Sequence, residues 1–182
     1  PGVAAVDSFR NVDLTYRGNL IVLGAGTFDV VLEHGSLLFK SPANAREALR
    51  AAIGQDAVIV SEAFANKYEV GDGDTLSLST PKGPHPFRVA AVYYDYSSDR
   101  GVVVMDRAVF ERHYDDRSTS GLTVYLREGV DPDQARTRLL EAIGDSHQVF
   151  INTNRALRTE VLRIFDSTFA ITYALELIAI VV

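Results

Sequence analysis

Residues 58–68 read VIVSEAFANKY and residues 86–105 read PFRVAAVYYDYSSDRGVVVM, and these two stretches decide the fold class. The first opens on an apolar run of β-formers and changes character at Ser61. A serine hydroxyl there can accept from an early helical N–H, so the stretch reads as a strand over 56–60 followed by a capped helix over 62–68 that ends near Gly71. Residues 75–80 and 86–94 are also β-formers, joined by Pro81-Lys82-Gly83-Pro84-His85, whose composition is turn chemistry and predicts an antiparallel pair. Residues 101–105 are continuously apolar between Arg100 and Asp106, as expected of a buried strand, and Asp106 is placed to cap a helix over 107–113. Strand-helix units combined with an antiparallel hairpin argue a mixed sheet of the α/β or α+β class rather than a sandwich.

Toward the N-terminus, residues 3–31 are rich in Val, Leu, Phe and Tyr, with Arg17-Gly18-Asn19 between two apolar stretches, and predict strand, turn, strand. Ser41-Pro42 offers an N-cap and a first-turn proline for an alanine-rich helix over 43–53, with Gly54 behind it. Toward the C-terminus, 122–126 reads as a strand. Asp131-Pro132-Asp133-Gln134 combines an N-cap, a first-turn proline and a Gln suited to a capping box, which bounds a helix over 133–143. Residues 148–151 read as the last strand.

From Asn154 onward the sequence has helical character, polar as far as Asp166 and then apolar over residues 169–182, FAITYALELIAIVV, interrupted by Thr172 and Glu176. Such a run is shorter than the roughly 20 residues of a membrane span, so a buried or self-associating soluble helix is one reading. It is apolar on nearly all faces and has no closing Gly, Lys or Arg, which favours the other reading, a truncated transmembrane helix. Arg155, Arg158 and Arg163 ahead of the run are the pattern of a cytoplasmic flank, but Glu160 and Asp166 share the segment, and long domains translocate largely regardless of charge. In a membrane Glu176 would have to face a helix bundle. The expected organisation is a core domain over 1–153, of one or two subdomains, a helix over 154–168 and the start of a truncated span over 169–182.

The composition excludes several function classes. With 18 Lys and Arg against 24 Asp and Glu the net charge is -6, which opposes nucleic-acid binding. The chain has no cysteine, hence no disulfide, thiol nucleophile or Cys-ligated zinc, while 182 residues with 47% apolar content suffice for a core without such staples. Gly24-Ala25-Gly26 follows an apolar strand like a dinucleotide-binding turn, but Asp29 stands at the third glycine position and the sequence shows no clear helix directly after it. Asp72-Gly73-Asp74 lacks the ligand spacing of a calcium loop and reads as a turn. Residues 95–100 and the Asp115-Asp116 pair read as surface loops. His34, His85, His113 and His147 form no metal-ligand spacing and are expected to be unrelated. No serine lies in a nucleophile-elbow motif, and Ser61 is accounted for by capping. Tyr93, Tyr94 and Tyr96 cluster where a strand leaves the core, suiting either strand packing or a contact patch. No catalytic, cofactor-binding or metal residue is assigned.

In order and spacing, the middle of the chain resembles the periplasmic core domain of the MacB/FtsX-like permease family. VIVSEAFANKY at 58–68 resembles the family's strand and Ser-Glu-x-x-Ala helix. VGDGDTLSLST at 70–80 resembles its Gly-Asp turn and strand, and PFRVAAVYYDYSSDRGVVVM its Phe-x-Val-x-Gly strand with the apolar strand behind it. The likeness is clear over 58–126. Ala90-Ala91 replaces a glycine common in the family, and Gly73 is inserted in the turn. The resemblance implies a non-enzymatic extracytoplasmic domain of a cell-membrane ABC transporter permease, with a span ahead of Pro1 and more after Val182. ATP would be hydrolysed by a separate cytoplasmic subunit. The domain would pass the movement of the spans to an envelope protein, a lipoprotein or an exported substrate, and the helix over 154–168 would be the connecting stalk. The alternative is a soluble α/β binding protein that homodimerises through its last helix, and a small α/β enzyme comes third.

Overall fold

The computed structural model describes residues 2–95, 97–144 and 149–154, with single positions 159, 162, 163 and 169. The chain divides into two compact units, Val3–Tyr125 on one hand and Pro1–Gly2 with Leu126–Val182 on the other.

The first unit starts with a long hairpin, β1 (Val3–Tyr16) and β2 (Asn19–Gly26). Arg17 and Gly18 turn it, both at positive φ, the two-residue geometry that matches the twist of the paired strands. Helix α1 (Phe28–His34) follows β2 at once, where the sequence suggested continued strand. β-branched Val30 and Val31 carried that expectation, but tertiary burial of Phe28 and Leu32, four residues apart on one helix face, overrides it. After β3 (Phe39–Ser41) comes α2 (Ala45–Ala52), whose N-cap is Asn44 rather than Ser41. The Ser41–Pro42 peptide is cis and lies ahead of the helix, so Pro42 is not its first residue.

β4 (Ala57–Ser61) and α3 (Glu62–Tyr68) match the expected strand-helix unit. The Ser61 hydroxyl accepts from Phe64 N–H at 3.2 Å, as the cap requires, and from Val102 N–H at 2.9 Å. β5 (Thr75–Thr80) and β6 (Gly83–Tyr93) form the antiparallel pair with a tighter turn than expected, since β6 begins at Gly83. Arg88 N–H points to Asp56 beside β4 and Val89 N–H to Asp74 beside β5. Pro84 and Pro86 share the parity of Arg88, so their missing N–H groups fall on the side where β4 has not yet begun. Ala90 is the extra residue of a β-bulge, because Val58 pairs with Val89 and Ile59 with Ala91.

β7 (Val102–Asp106) leads into α4 (Arg107–Tyr114), and β8 (Gly121–Leu126) closes an eight-stranded mixed sheet of order β3-β6-β4-β7-β2-β1-β8, with β5 on the first half of β6. β4 and β7 sit centrally and are almost wholly buried, which explains their unbroken apolar sequences. Helices α3 and α4 cover one face through Phe64, Tyr68, Val109 and Phe110. Helices α1 and α2 cover the other through Phe28, Leu32 and Leu49. Each fully buried Leu or Phe side chain contributes about 1.5–3 kcal/mol.

Asp106 ends β7 but does not cap α4 with its side chain. Alternation along β7 turns Val103 and Met105 toward α3 and α4, and Val104 toward the opposite face. The Asp106 carboxylate follows Val104, away from α4, and accepts from Phe28 N–H at 3.3 Å and Gly54 N–H at 2.7 Å.

In the second unit, α5 (Pro132–Ile143) has Asp131 as its N-cap, accepting from Asp133 N–H at 3.3 Å, with proline in the first turn. Residues 149–151 are not a strand, contrary to expectation; Ile151 O instead accepts from Arg136 Nε at 2.7 Å. Asn154, Thr159, Leu162, Arg163 and Phe169 are helical. The apolar run after Phe169, including Glu176, lies outside the described residues. Among the described residues no helix is long and apolar enough to cross a membrane.

Candidate functional site

The strand order brings together a cluster that the sequence leaves scattered. Asp56 stands one residue before β4, His85 lies on β6 and His113 on the last turn of α4. Strands β4 and β6 are parallel neighbours, with Ala57 opposite Arg88. Asp56 shares the parity of Val58, and His85 that of Phe87, so both point to the sheet face that α4 covers. His113 lies three and four residues beyond buried Phe110 and Val109, on the helix stripe that meets the same face.

The two imidazoles converge on one carboxylate. His85 Nε2 is 2.8 Å from Asp56 Oδ2, and His113 Nε2 is 2.8 Å from Oδ1. The rings lie 4.3 Å apart, centroid to centroid, and the fully buried Phe87 packs edge-on against both at 5.0 and 5.1 Å. Arg112 donates to Asp56 Oδ1 from its Nη2 and to Gly54 O from its Nη1 at 3.2 Å. Burial alone would raise the Asp56 carboxyl, but the hydrogen bonds from His113, His85 and Arg112 outweigh it and hold it well below the usual carboxylate range. Two of the four histidines expected to be unrelated are therefore neighbours. His34 stacks on Tyr125 at 5.3 Å, while His147 lies outside the described residues.

The other sequence candidates resolve into structural roles. A helix does follow Gly24-Ala25-Gly26, yet its first donors are already taken: Thr27 N–H binds Asp7 Oδ1 at 2.8 Å and Phe28 N–H binds Asp106. A phosphate there would meet two carboxylates, which removes the nucleotide reading on grounds stronger than an incomplete motif. Asp74 closes the acidic turn by accepting from Gly71 N–H at 2.8 Å, with Gly73 at φ 93°. Asp115 is the left-handed C-cap of α4. Asp116 pairs with Arg10 at 2.9 Å, and hydrogen bonds from Ser118 and Arg10 hold its carboxyl at about 2. Tyr93 is buried and donates to Asp95 Oδ2 at 3.0 Å, Tyr94 is exposed beside Leu38, and Tyr96 lies outside the described residues. The tyrosines thus divide between strand packing and surface.

On the face of α1 and α2 an open groove of about 450 Å³ crosses the sheet. Asn11, Val22, Phe28, Val104, Asp95 and Arg100 are among the residues that line it. Its lining mixes apolar side chains with Asp7, Asp95 and Arg100.

The comparisons with known proteins agree with this architecture. The profile of the MacB-like periplasmic core domain matches residues 1–142. An uncharacterized ABC transporter permease protein of Mycobacterium tuberculosis is 36% identical over 107 residues, 59% of this chain and 12% of its own length. The match therefore spans about an eighth of that relative's length. The periplasmic region of MacB from Actinobacillus actinomycetemcomitans superposes with a TM-score of 0.58 at 16% identity, covering 88% of this chain and 76% of that one. The extracellular domain of the noncanonic ABC-type transporter YknZ from Gram-positive bacteria gives 0.54 at 16% identity, covering 78% and 76%. At such identity these two likenesses speak for the fold alone. The match over residues 1–142 decides the family, and this chain belongs to the MacB-like periplasmic core domains of ABC transporter permeases.

Proposed function

We propose that this domain is the non-catalytic extracytoplasmic module through which an ABC permease passes the movement of its membrane spans to a partner outside the membrane. The observation that carries this reading is the family match over residues 1–142. In this account residues 154–168 are the connecting stalk and 169–182 the start of a transmembrane helix. A separate cytoplasmic ATPase supplies the energy, and the partner is an envelope protein, a lipoprotein or the exported substrate itself. Mechanically, a sheet packed with helices on both faces moves as a body, since close-packed interiors transmit displacement rather than absorb it. The absence of Gly and Pro after Gly144 suits a stalk without a hinge.

The test uses the full reading frame that carries this chain, together with its ATPase subunit, in membrane vesicles. An environment-sensitive label is placed by cysteine at Leu122, which is 61% exposed. ATP with vanadate should change the label's emission or its distance to a second copy, and a variant ATPase unable to hydrolyse ATP should not cycle it. An unchanged label through the whole cycle counts against the coupling role.

A further inference from the structure

We propose that Asp56, His85 and His113 form a binding site for a divalent transition metal of the zinc class. This stands apart from the transport reading, because it rests only on the geometry within the Val3–Tyr125 unit. Among the described residues these three are the group whose ligand atoms converge, all lying within 4.8 Å of one another. Both histidines present the same nitrogen, Nε2, to one carboxylate. Two imidazoles and a carboxylate are a donor set that selects zinc, nickel or copper over magnesium or calcium, which prefer all-oxygen surroundings.

Little has to move. A metal with bonds of about 2.0 Å to nitrogen and oxygen in tetrahedral geometry sets its ligands roughly 3.3 Å apart. The nitrogen-to-oxygen separations here are 2.8 Å, so the rings would retreat by about half an ångström while the metal replaces the two N–H protons. Phe87 braces both rings from the core side, His85 comes from β6 and His113 from α4, and Asp56 stands one residue ahead of β4, so two of the three ligands sit on regular elements and the third at the mouth of a central strand. The Asp56 side chain is 38% exposed and that of His85 35%, which leaves an entry path and room for water at the remaining position. Arg112 is the built-in competitor. Its guanidinium binds the same Asp56 oxygen as His113, but at 51% exposure it can swing into solvent when a dication takes its place.

The experiment titrates this chain with Zn²⁺ by calorimetry at neutral pH, and follows histidine ring ¹⁵N shifts in the wild type. One equivalent should bind and move the Nε2 signals of two histidines. His85→Gln and His113→Gln should each weaken binding by at least the ~10–100-fold that loss of an outer-shell partner costs. His34→Gln should leave binding unchanged, Arg112→Gln should tighten it, and Mg²⁺ should not compete. No saturable binding up to millimolar Zn²⁺ would overturn the proposal, as would wild-type shifts confined to other residues. Tight binding that survives both His85→Gln and His113→Gln would likewise place the metal elsewhere. The wild-type shifts decide the matter even where a variant fails to fold.

Discussion

Two strand-to-helix junctions stand at opposite ends of the antiparallel central pair β4 and β7 and are built in different ways. At the end of β4, Ser61 caps its own helix and ties it to the next strand by accepting from Val102 N–H. At the end of β7, Asp106 leaves α4 without a side-chain cap and spends its carboxylate across the sheet, on Phe28 N–H and Gly54 N–H. The serine oxygen lies one bond from Cβ and stays near its own backbone, whereas the aspartate oxygens lie one bond further out and reach neighbouring elements. One junction is thus a local device and the other a clamp between elements distant in sequence. A residue type favoured at a helix start identifies the position, but not which helix it serves.

The largest effect is expected at Asp106. Asp106→Ala leaves two backbone donors without their acceptor and should lower stability by about 3 kcal/mol in urea denaturation, with loss of protection in α1 rather than α4 by hydrogen exchange. Exchange loosening confined to α4 would mean that the residue is a local cap after all. Next comes Gly101, just ahead of β7 beside the Ser61 junction, at φ 89°, where an added Cβ would sit 3.0 Å from Phe64 Cα. Gly101→Ala should cost about 2 kcal/mol through left-handed strain and a displaced α3. Ser61→Ala should cost about 1.5 kcal/mol, felt in α3 and at Val102. A loss as large as that at Asp106 would erase the distinction.

The smallest effect is electrostatic and sits at the sheet edge. Hydrogen bonds from Ser118 and Arg10 hold the Asp116 carboxyl at about 2. Because its folded value is depressed, the support it lends is complete above the ordinary carboxylate range near about 4 and fades as pH falls toward about 2. An NMR titration should find the midpoint near 2, and Ser118→Ala should bring it back toward 4. A midpoint already near 4 in the wild type would mean that the contact with Ser118 does not persist in solution.

Much of the fold was legible in sequence because its strong signals are local. The unbroken apolar runs of β4 and β7, the Arg17-Gly18 turn and the Asp131-Pro132 start of α5 each carry their structure within a few residues. Helix α1 was not legible, since Val30 and Val31 favour strand and only the packing of Phe28 and Leu32 decides otherwise. The tyrosine cluster and the Asp115-Asp116 pair were divided by burial and backbone geometry, neither of which is a property of residue type. The Asp56, His85 and His113 cluster was invisible for a different reason: its members are brought together by the parallel pairing of β4 with β6 and by the docking of α4, and no spacing encodes that. The nearest available signal was the parity of His85 with Phe87 on one strand face.

The proposed place of this domain, outside the cytoplasmic membrane as part of a permease, is open to a topology measurement. The chain has no cysteine, so Asp99→Cys, at an exposed loop position, gives a single reactive site in a cysteine-free version of the full reading frame. In intact cells a membrane-impermeant maleimide should label this cysteine, with the protein recovered in the membrane fraction. Labelling only after the membrane is opened, or recovery of the intact protein from the soluble cytoplasmic fraction, would contradict that placement.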